Sequence, residues 1–279
     1  MNTLSLQKKS LVLNSLVEGN SIRSTQRMTG VEKKTIMRLL VEAGEQAKKI
    51  LNTHLVNLEC RFVQADELWC YVGKKQRECT NEEKEHGEVG DQYIFVAMDS
   101  ETKLIISYLV GKRNIDNTWQ FINDLSNRVR GHFQLTTDTF RPYKTCVRSN
   151  FAKSEIDFGQ VHKVYDPPSS TNNYSAGSII QIYRNPIMGR PIEQRISTSH
   201  VERQNLTMRM KMRRLTRLTN AFSKKLKNLE CAVALNFYHY NFMRVHQTLR
   251  VTPAMQAKVT IGFWTWGDLL SYGKQKLAA

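Results

Sequence analysis

Cysteine is too scarce and too scattered in this sequence to build with. The five residues, Cys60, Cys70, Cys79, Cys146 and Cys231, are odd in number, and no two stand at the spacing of a metal-ligand pair. Neither a zinc module nor a disulfide framework is indicated, and the thiols read as those of a protein in a reducing compartment. Long apolar runs are missing too. The opening stretch MNTLSLQKKSLVLNSL is broken by polar residues at helical intervals, unlike a signal-peptide core, and no segment approaches bilayer-spanning length. Acid is in short supply against base: 25 Asp plus Glu face 41 Lys plus Arg, a formal net charge of +16. A ribosomal or membrane-surface protein can carry the same balance, so the surplus favours nucleic acid without selecting it. The expectation is a soluble, cytoplasmic protein with a polyanionic partner.

What is present begins with helical periodicity. Residues 4–48 alternate apolar and polar groups at helical spacing, with breaks at Gly19 and Gly30. Three helices are predicted. The first, Leu6 to Val17, turns Val12, Leu13, Leu16 and Val17 inward; the second follows Ser21 as N-cap and carries Ile22 and Met28. The third, Val31 to Lys48, buries Ile36, Leu39, Leu40 and Ala43 and exposes Lys33, Lys34 and Arg38. Two short helices about a glycine turn, the second basic outside, match a DNA-binding helix-turn-helix domain over residues 1–48, with those three cations toward DNA. A small helical bundle with a solvated face gives the same pattern. Residues 49–60 read as a linker with a helical tail.

Period two follows. Strands are predicted at Phe62 to Val72, Tyr93 to Asp99 and Leu104 to Val110, with a charged, exposed excursion at Gly73 to Asp91 and a hairpin turn at Ser100 to Lys103. A helix over Asp116 to Arg130, with Trp119, Ile122, Leu125 and Val129 inward, leads to a strand at His132 to Thr137. A short strand at Val161 to Tyr165 precedes Asp166 to Thr198, rich in Pro, Ser, Asn and Gly and without period, which reads as a long loop. The order strand, strand, strand, helix, strand implies an α/β fold with a mixed sheet and a crossover helix. Later, Thr252 and Pro253 mark a helix start. The apolar groups of the tail, Trp264, Trp266, Leu269, Leu270 and Tyr272, can dock on the domain or join subunits.

The chemistry centres on one acid in a basic helix. Within Ser199 to Arg214, Glu202 lines up with Asn205, Leu206 and Arg209, beside an apolar stripe of Val201, Met208, Met212 and Leu215. Asn205 and Arg209 are candidates for positioning DNA; Arg213, Arg214, Arg217, Lys224, Lys225 and Lys227 would track phosphates. Ser199 and Glu202 also have the spacing of a capping box, which would give Glu202 a purely structural task. Two acids elsewhere are potential partners. Asp66 and Glu67 lie on opposite faces of a strand, so one of them can join a given site, and Asp138 follows the carboxyl end of another. Such an oxygen-rich set suits Mg²⁺ or Mn²⁺. His200, His239 and His246 read as ordinary hydrogen-bonding residues, although the last two could share a helix face. Trp119 and the methionines from Met208 to Met212 read as core.

These residues carry a resemblance. DELW at Asp66 to Trp69, TDTFRPY at Thr137 to Tyr143 and STSHVERQNLTMRMKMRRLTRLTNAFSKK at Ser197 to Lys225 resemble the DDE transposases of the insertion-sequence-one family. YHYNFMRVHQTLRVTPAMQA, Tyr238 to Ala257, is similar to the closing segment of that family. The resemblance implies an RNase H-like catalytic domain over 61–260, followed by a tail at 261–279. It implies Asp66, Asp138 and Glu202 as the catalytic, metal-binding triad for two Mg²⁺ or Mn²⁺ ions. The implied activity is binding of terminal inverted repeats, cleavage to free 3′-OH ends and joining of those ends to target DNA. Double-stranded DNA is then the partner, in a homodimer or higher oligomer near a prokaryotic nucleoid. Two other classes share much of the pattern: a non-catalytic DNA-binding repressor derived from a transposase, and an RNase H-like nuclease that cuts without joining. Some members of the family carry a cysteine-rich zinc segment ahead of the helix-turn-helix; none precedes it in this sequence, and no structural zinc is expected.

Overall fold

The computed structural model describes residues 3–152, 155–166 and 177–273. In chain order its elements are α1 (Leu6–Val17), α2 (Ile22–Thr29), α3 (Lys33–His54), β1 (Leu58–Glu59), β2 (Phe62–Val72), α4 (Asn81–His86), β3 (Gly90–Asp99), β4 (Ile105–Gly111), α5 (Ile115–Arg128), β5 (Val129–Arg130), β6 (Phe133–Thr137), α6 (Arg141–Asn150), β7 (Ile156–Tyr165), β8 (Ile179–Met188), α7 (Ser199–Lys211), α8 (Leu226–Tyr238), α9 (Pro253–Gln256) and α10 (Trp266–Ser271). A π turn, His239–Met243, extends α8.

The opening helices form where their caps stand. The Ser5 and Ser21 side chains accept the amides of Lys8 and Ser24, and Glu32 accepts those of Lys34 and Thr35, satisfying first-turn donors that no helix can satisfy internally. Gly30, at φ 68°, closes α2 in the left-handed conformation glycine adopts freely. α2 departs from its predicted packing. Met28 is 63% exposed, whereas Ile22 packs against the core and Thr25 is buried, its hydroxyl 2.9 Å from that of Ser15. α3 also outruns its predicted end at Lys48. Ile50 and Leu51 continue its buried stripe, so residues 49–54 are helix rather than linker.

A six-stranded mixed sheet, ordered β4-β3-β2-β6-β7-β8, lies at the centre, with a small parallel pair of β1 and β5 beside it. β3 runs antiparallel to both β2 and β4; β6 runs parallel to both β2 and β7; β8 returns antiparallel on β7. The first three predicted strands hold within a few residues at each end. β7 starts at Ile156, earlier than predicted, and β8 occupies part of the stretch read as loop. β8 went unseen because it is an edge strand with most residues exposed and Pro186 within it, which only an edge tolerates. Helix α6 was not anticipated. On α5, Trp119 is 46% exposed rather than core, and in α7 Met208 is buried while Met210 is exposed.

One continuous core joins the opening helices to the sheet. α3 packs against α8 closely enough that a Cβ on Gly44 would lie 2.4 Å from the Cys231 Cβ. The tail docks on the domain: Trp266, Leu269 and Leu270 are buried, and the Trp266 indole donates to Asn14 Oδ1 at 2.6 Å. The Thr252 side chain caps α9 ahead of Pro253, as predicted. Among the described residues, no helix is long and apolar enough to cross a membrane, and all five cysteines are free and buried.

Candidate active site

The site begins where two parallel strands part. β2 and β6 pair from Phe62 with Gln134 to Gln64 with Thr136 and no further. Continuing that register by two residues sets Asp66 against Asp138, at the carboxyl end of β6. Carboxylate oxygens of Asp66, Glu67 and Asp138 lie within 4.8 Å of one another. The alternation of a strand predicts that Asp66 and Glu67 cannot share a site; here they do. β6 has ended at Thr137, so on that side of β2 no strand separates the two faces, while β3 continues along the other side.

Charge in this group is strained. Burial, then the neighbouring Asp138 carboxylate, pushes Asp66 up to about 6, and the same two causes push Glu67 up to about 7. Arg113 is the resident counter-charge. Its Nε donates to Glu67 Oε1 at 2.8 Å, its Nη2 lies 3.6 Å from Asp138 Oδ2, and its guanidinium stacks 3.7 Å over the Phe140 ring. Asp138 is held by backbone. Its Oδ1 accepts the Phe140 amide at 2.9 Å, and its carbonyl accepts from Gln160 Nε2 at 2.8 Å.

Helix α7 is fastened to β2 by three side chains, those of Gln64, Asn205 and Arg209. Gln64 Oε1 accepts the amides of His200 at 2.9 Å and Val201 at 3.2 Å, and Asn205 Nδ2 donates to Asp66 Oδ2 at 2.8 Å. The proposed capping box does not form. Thr198, not Ser199, is the N-cap residue, and Glu202 binds the Thr198 hydroxyl at 2.6 Å and the ammonium of Lys163 on β7. The two amides such a box would use are taken elsewhere, that of Glu202 by the Thr198 carbonyl at 2.9 Å and that of Ser199 by the Ser197 hydroxyl at 3.2 Å. Glu202 thus stands one turn before Asn205, with its carboxylate outside the group of three and its charge still felt by Asp66.

The predicted DNA contacts divide into two sets. Lys33, Lys34, Arg38, Arg213, Arg217, Lys224 and Lys225 are exposed. The rest have partners. Asn205 is buried on Asp66; Arg209 donates to the carbonyls of Trp69 and Leu215, both at 3.1 Å, and burial lowers it to about 10. Arg214 donates to Ser223 at 2.9 Å, and Lys227 pairs with Glu45 at 2.5 Å. Of the histidines, His200 lies 3.2 Å from the Lys103 ammonium, and His239, lowered by burial to about 4, stacks on Trp266 at 5.8 Å. The π turn ends at Met243, so His239 and His246 share no helix face.

Three residues here escaped the sequence reading, Gln64, Arg113 and Lys163, and Glu67 joins a site that the reading opened to only one of the pair Asp66 and Glu67. Gln64 carries no local signal of its role, because the amides it accepts lie 136 and 137 residues further along the chain. Arg113 and Lys163 carry none. No protein-family model matches the chain, and no curated protein does.

Proposed function

We propose that the chain is a DDE transposase of the insertion-sequence-one family, acting on double-stranded DNA through an RNase H-like domain. The observation that carries the reading is the meeting of Asp66 and Asp138 where β2 and β6 part, with α7 fastened to the same strand so that Glu202 is close by. Three antiparallel strands, then two more parallel to the first, fit an RNase H-like sheet. α2 and α3 about Gly30 fit a helix-turn-helix, with Lys33, Lys34 and Arg38 on the exposed start of the second helix.

The donor set fits a hard divalent cation. It is all oxygen, and Asp66 and Glu67 are held above their ordinary range by burial first and then by the neighbouring Asp138 carboxylate, whose repulsion a cation would relieve. Asp66, Asp138 and Glu202 would hold Mg²⁺ or Mn²⁺, with two ions the expected complement. Such ions, when bound, supply Lewis acidity to a phosphodiester and a more acidic attacking water or hydroxyl. The chain's own residues do the rest. Asn205 fixes the rotamer of Asp66, Gln64 seats α7, and Arg113 restrains Glu67 and Asp138. Lys163 pairs with Glu202, and that ion pair would have to open for Glu202 to serve as a ligand. Exposed cations hold the phosphates. Handling both ends of one element calls for at least two copies of the chain.

The test is to incubate the protein with terminal-repeat DNA, a plasmid target and Mg²⁺ or Mn²⁺. Joined products that vanish in Asp138→Ala support the reading. Cleavage without joining overturns it in favour of a nuclease, and binding without either overturns it in favour of a repressor. Glu202→Gln is expected to abolish product formation while DNA affinity stays within about threefold, since one exposed carboxylate among many cations contributes little to phosphate binding.

A further inference from the structure

A cleft of about 950 Å³ opens between the opening helices and the segment joining α7 to α8, away from the carboxylates. Its floor is apolar, with Ile22, Met37, Leu40, Met212, Phe222 and Leu235 among its lining residues. Six cations also line it, Arg23, Lys33, Lys34, Arg213, Arg214 and Lys224, and no described acidic residue does. None of the six takes part in an ion pair among the described residues. Cations far apart in sequence, from α2, from α3 and from the segment after α7, thus converge on one concave surface.

The cleft also connects to the carboxylates. Residues alternate faces along a strand, so Glu67, Trp69 and Tyr71 share one face of β2. Phe222, at the cleft, lies 4.7 Å from the Tyr71 ring, and Tyr71 lies 5.8 Å from Trp69. The Lys224 ammonium sits 4.1 Å over Phe222. All three rings are half-exposed. A row of rings therefore leads from a basic, apolar-floored cleft toward Glu67.

We infer that this cleft and ring row bind an unpaired stretch of DNA strand, with its bases on the apolar floor and rings and its phosphates on the cations. A duplex turns phosphates outward and keeps its bases stacked inside, so it leaves an apolar floor unused. A single strand uses both surfaces, and aromatic stacking accepts any base. The inference rests on the reading of the chain as a DNA-processing enzyme, and it adds that strand ends are handled unpaired.

Fluorescence anisotropy in EDTA, with a short oligothymidine strand and a blunt duplex of equal length, tests it. The unpaired strand is expected to bind more tightly. Phe222→Ala and Tyr71→Ala should each weaken strand binding by about tenfold, the scale of one lost stacking partner, with duplex binding and melting temperature held near wild type. Equal affinity for the two DNAs in the wild type would overturn the inference. So would variants that are folded and bind the strand normally, or an acidic amphipathic peptide that occupies the cleft while the strand does not. Metal-dependent cleavage separates the two readings. Cleavage without strand preference removes the cleft proposal and leaves the enzyme, whereas strand binding in the cleft without cleavage removes the enzyme and leaves the cleft.

Discussion

At the scale of single residues, the carboxylate group works against the stability of the protein. Asp66 and Glu67 lie near 6 and 7 when folded, against ordinary values of 3.8 and 4.5. Between those limits the native state holds protons that the unfolded chain has already lost. The stability these groups contribute is therefore whole below about pH 4 and falls as pH rises through 6 to 7. Asp138→Asn removes the largest like-charge neighbour of both. It should raise the melting temperature by a few degrees at pH 8 and by less at pH 4.5, because only ionised neighbours repel. Mg²⁺ should raise the wild-type midpoint at pH 8 and have a smaller effect on the variant. Thermal scans at the two pH values decide this, and a variant less stable than wild type at pH 8 would show that Asp138 serves the fold more than it strains it.

At the scale of elements, function depends on how α7 is seated. Gln64→Ala leaves two first-turn amides without their acceptor, at a cost of about 1–3 kcal/mol. The proposed reaction should then lose rate in single turnover while DNA affinity is unchanged, because Glu202 is displaced and the exposed cations are not. Gln64→Glu keeps an acceptor oxygen and adds negative charge at a helix N-terminus, so it should restore much of the rate. Rate loss in both variants alike would argue against a seating role. The Gln64 contact also shows where sequence reading stops. Strand β2 was legible because period two and β-branched or aromatic residues agree along it, and Asp66 and Asp138 stood out as acids at a strand and its end. Gln64 was not legible, because its partners lie 136 and 137 residues away and nothing local marks an amide that caps a distant helix. Glu202 was legible as a residue but not in its surroundings. The capping-box spacing was real, yet the Glu202 amide bonds the Thr198 carbonyl and the Ser199 amide the Ser197 hydroxyl, and Lys163 has no pattern of its own. Helix α6 was missed because FRPYKTCVRSN places Pro142 in the first turn, where proline is tolerated, while polar residues dilute its short apolar face.

At the scale of the whole molecule, the predicted boundary near residue 48 meets a helix that runs through it and a core that spans it. Ile36 to Leu55 of the opening unit share that core with β2, β3 and α8, and α10 covers α1 and α3 from the far end of the chain. Periodicity within 1–48 could not reveal this, since an inward stripe looks the same whether it faces its own small bundle or a larger domain. The contact between α3 and α8 gives a direct test. A Cβ on Gly44 would meet the Cys231 Cβ at 2.4 Å and its carbonyl oxygen at 2.5 Å, so Gly44→Ala has to push two buried helices apart. The overpacking should cost about 1–3 kcal/mol, partly offset by the better helix propensity of alanine. With one continuous core the cost should appear as a downward shift of a single calorimetric transition, by several degrees, with helical and near-ultraviolet signals lost together. Two transitions, only one of them moved by the substitution, would instead mean that the opening helices fold as a unit of their own and merely rest against α8.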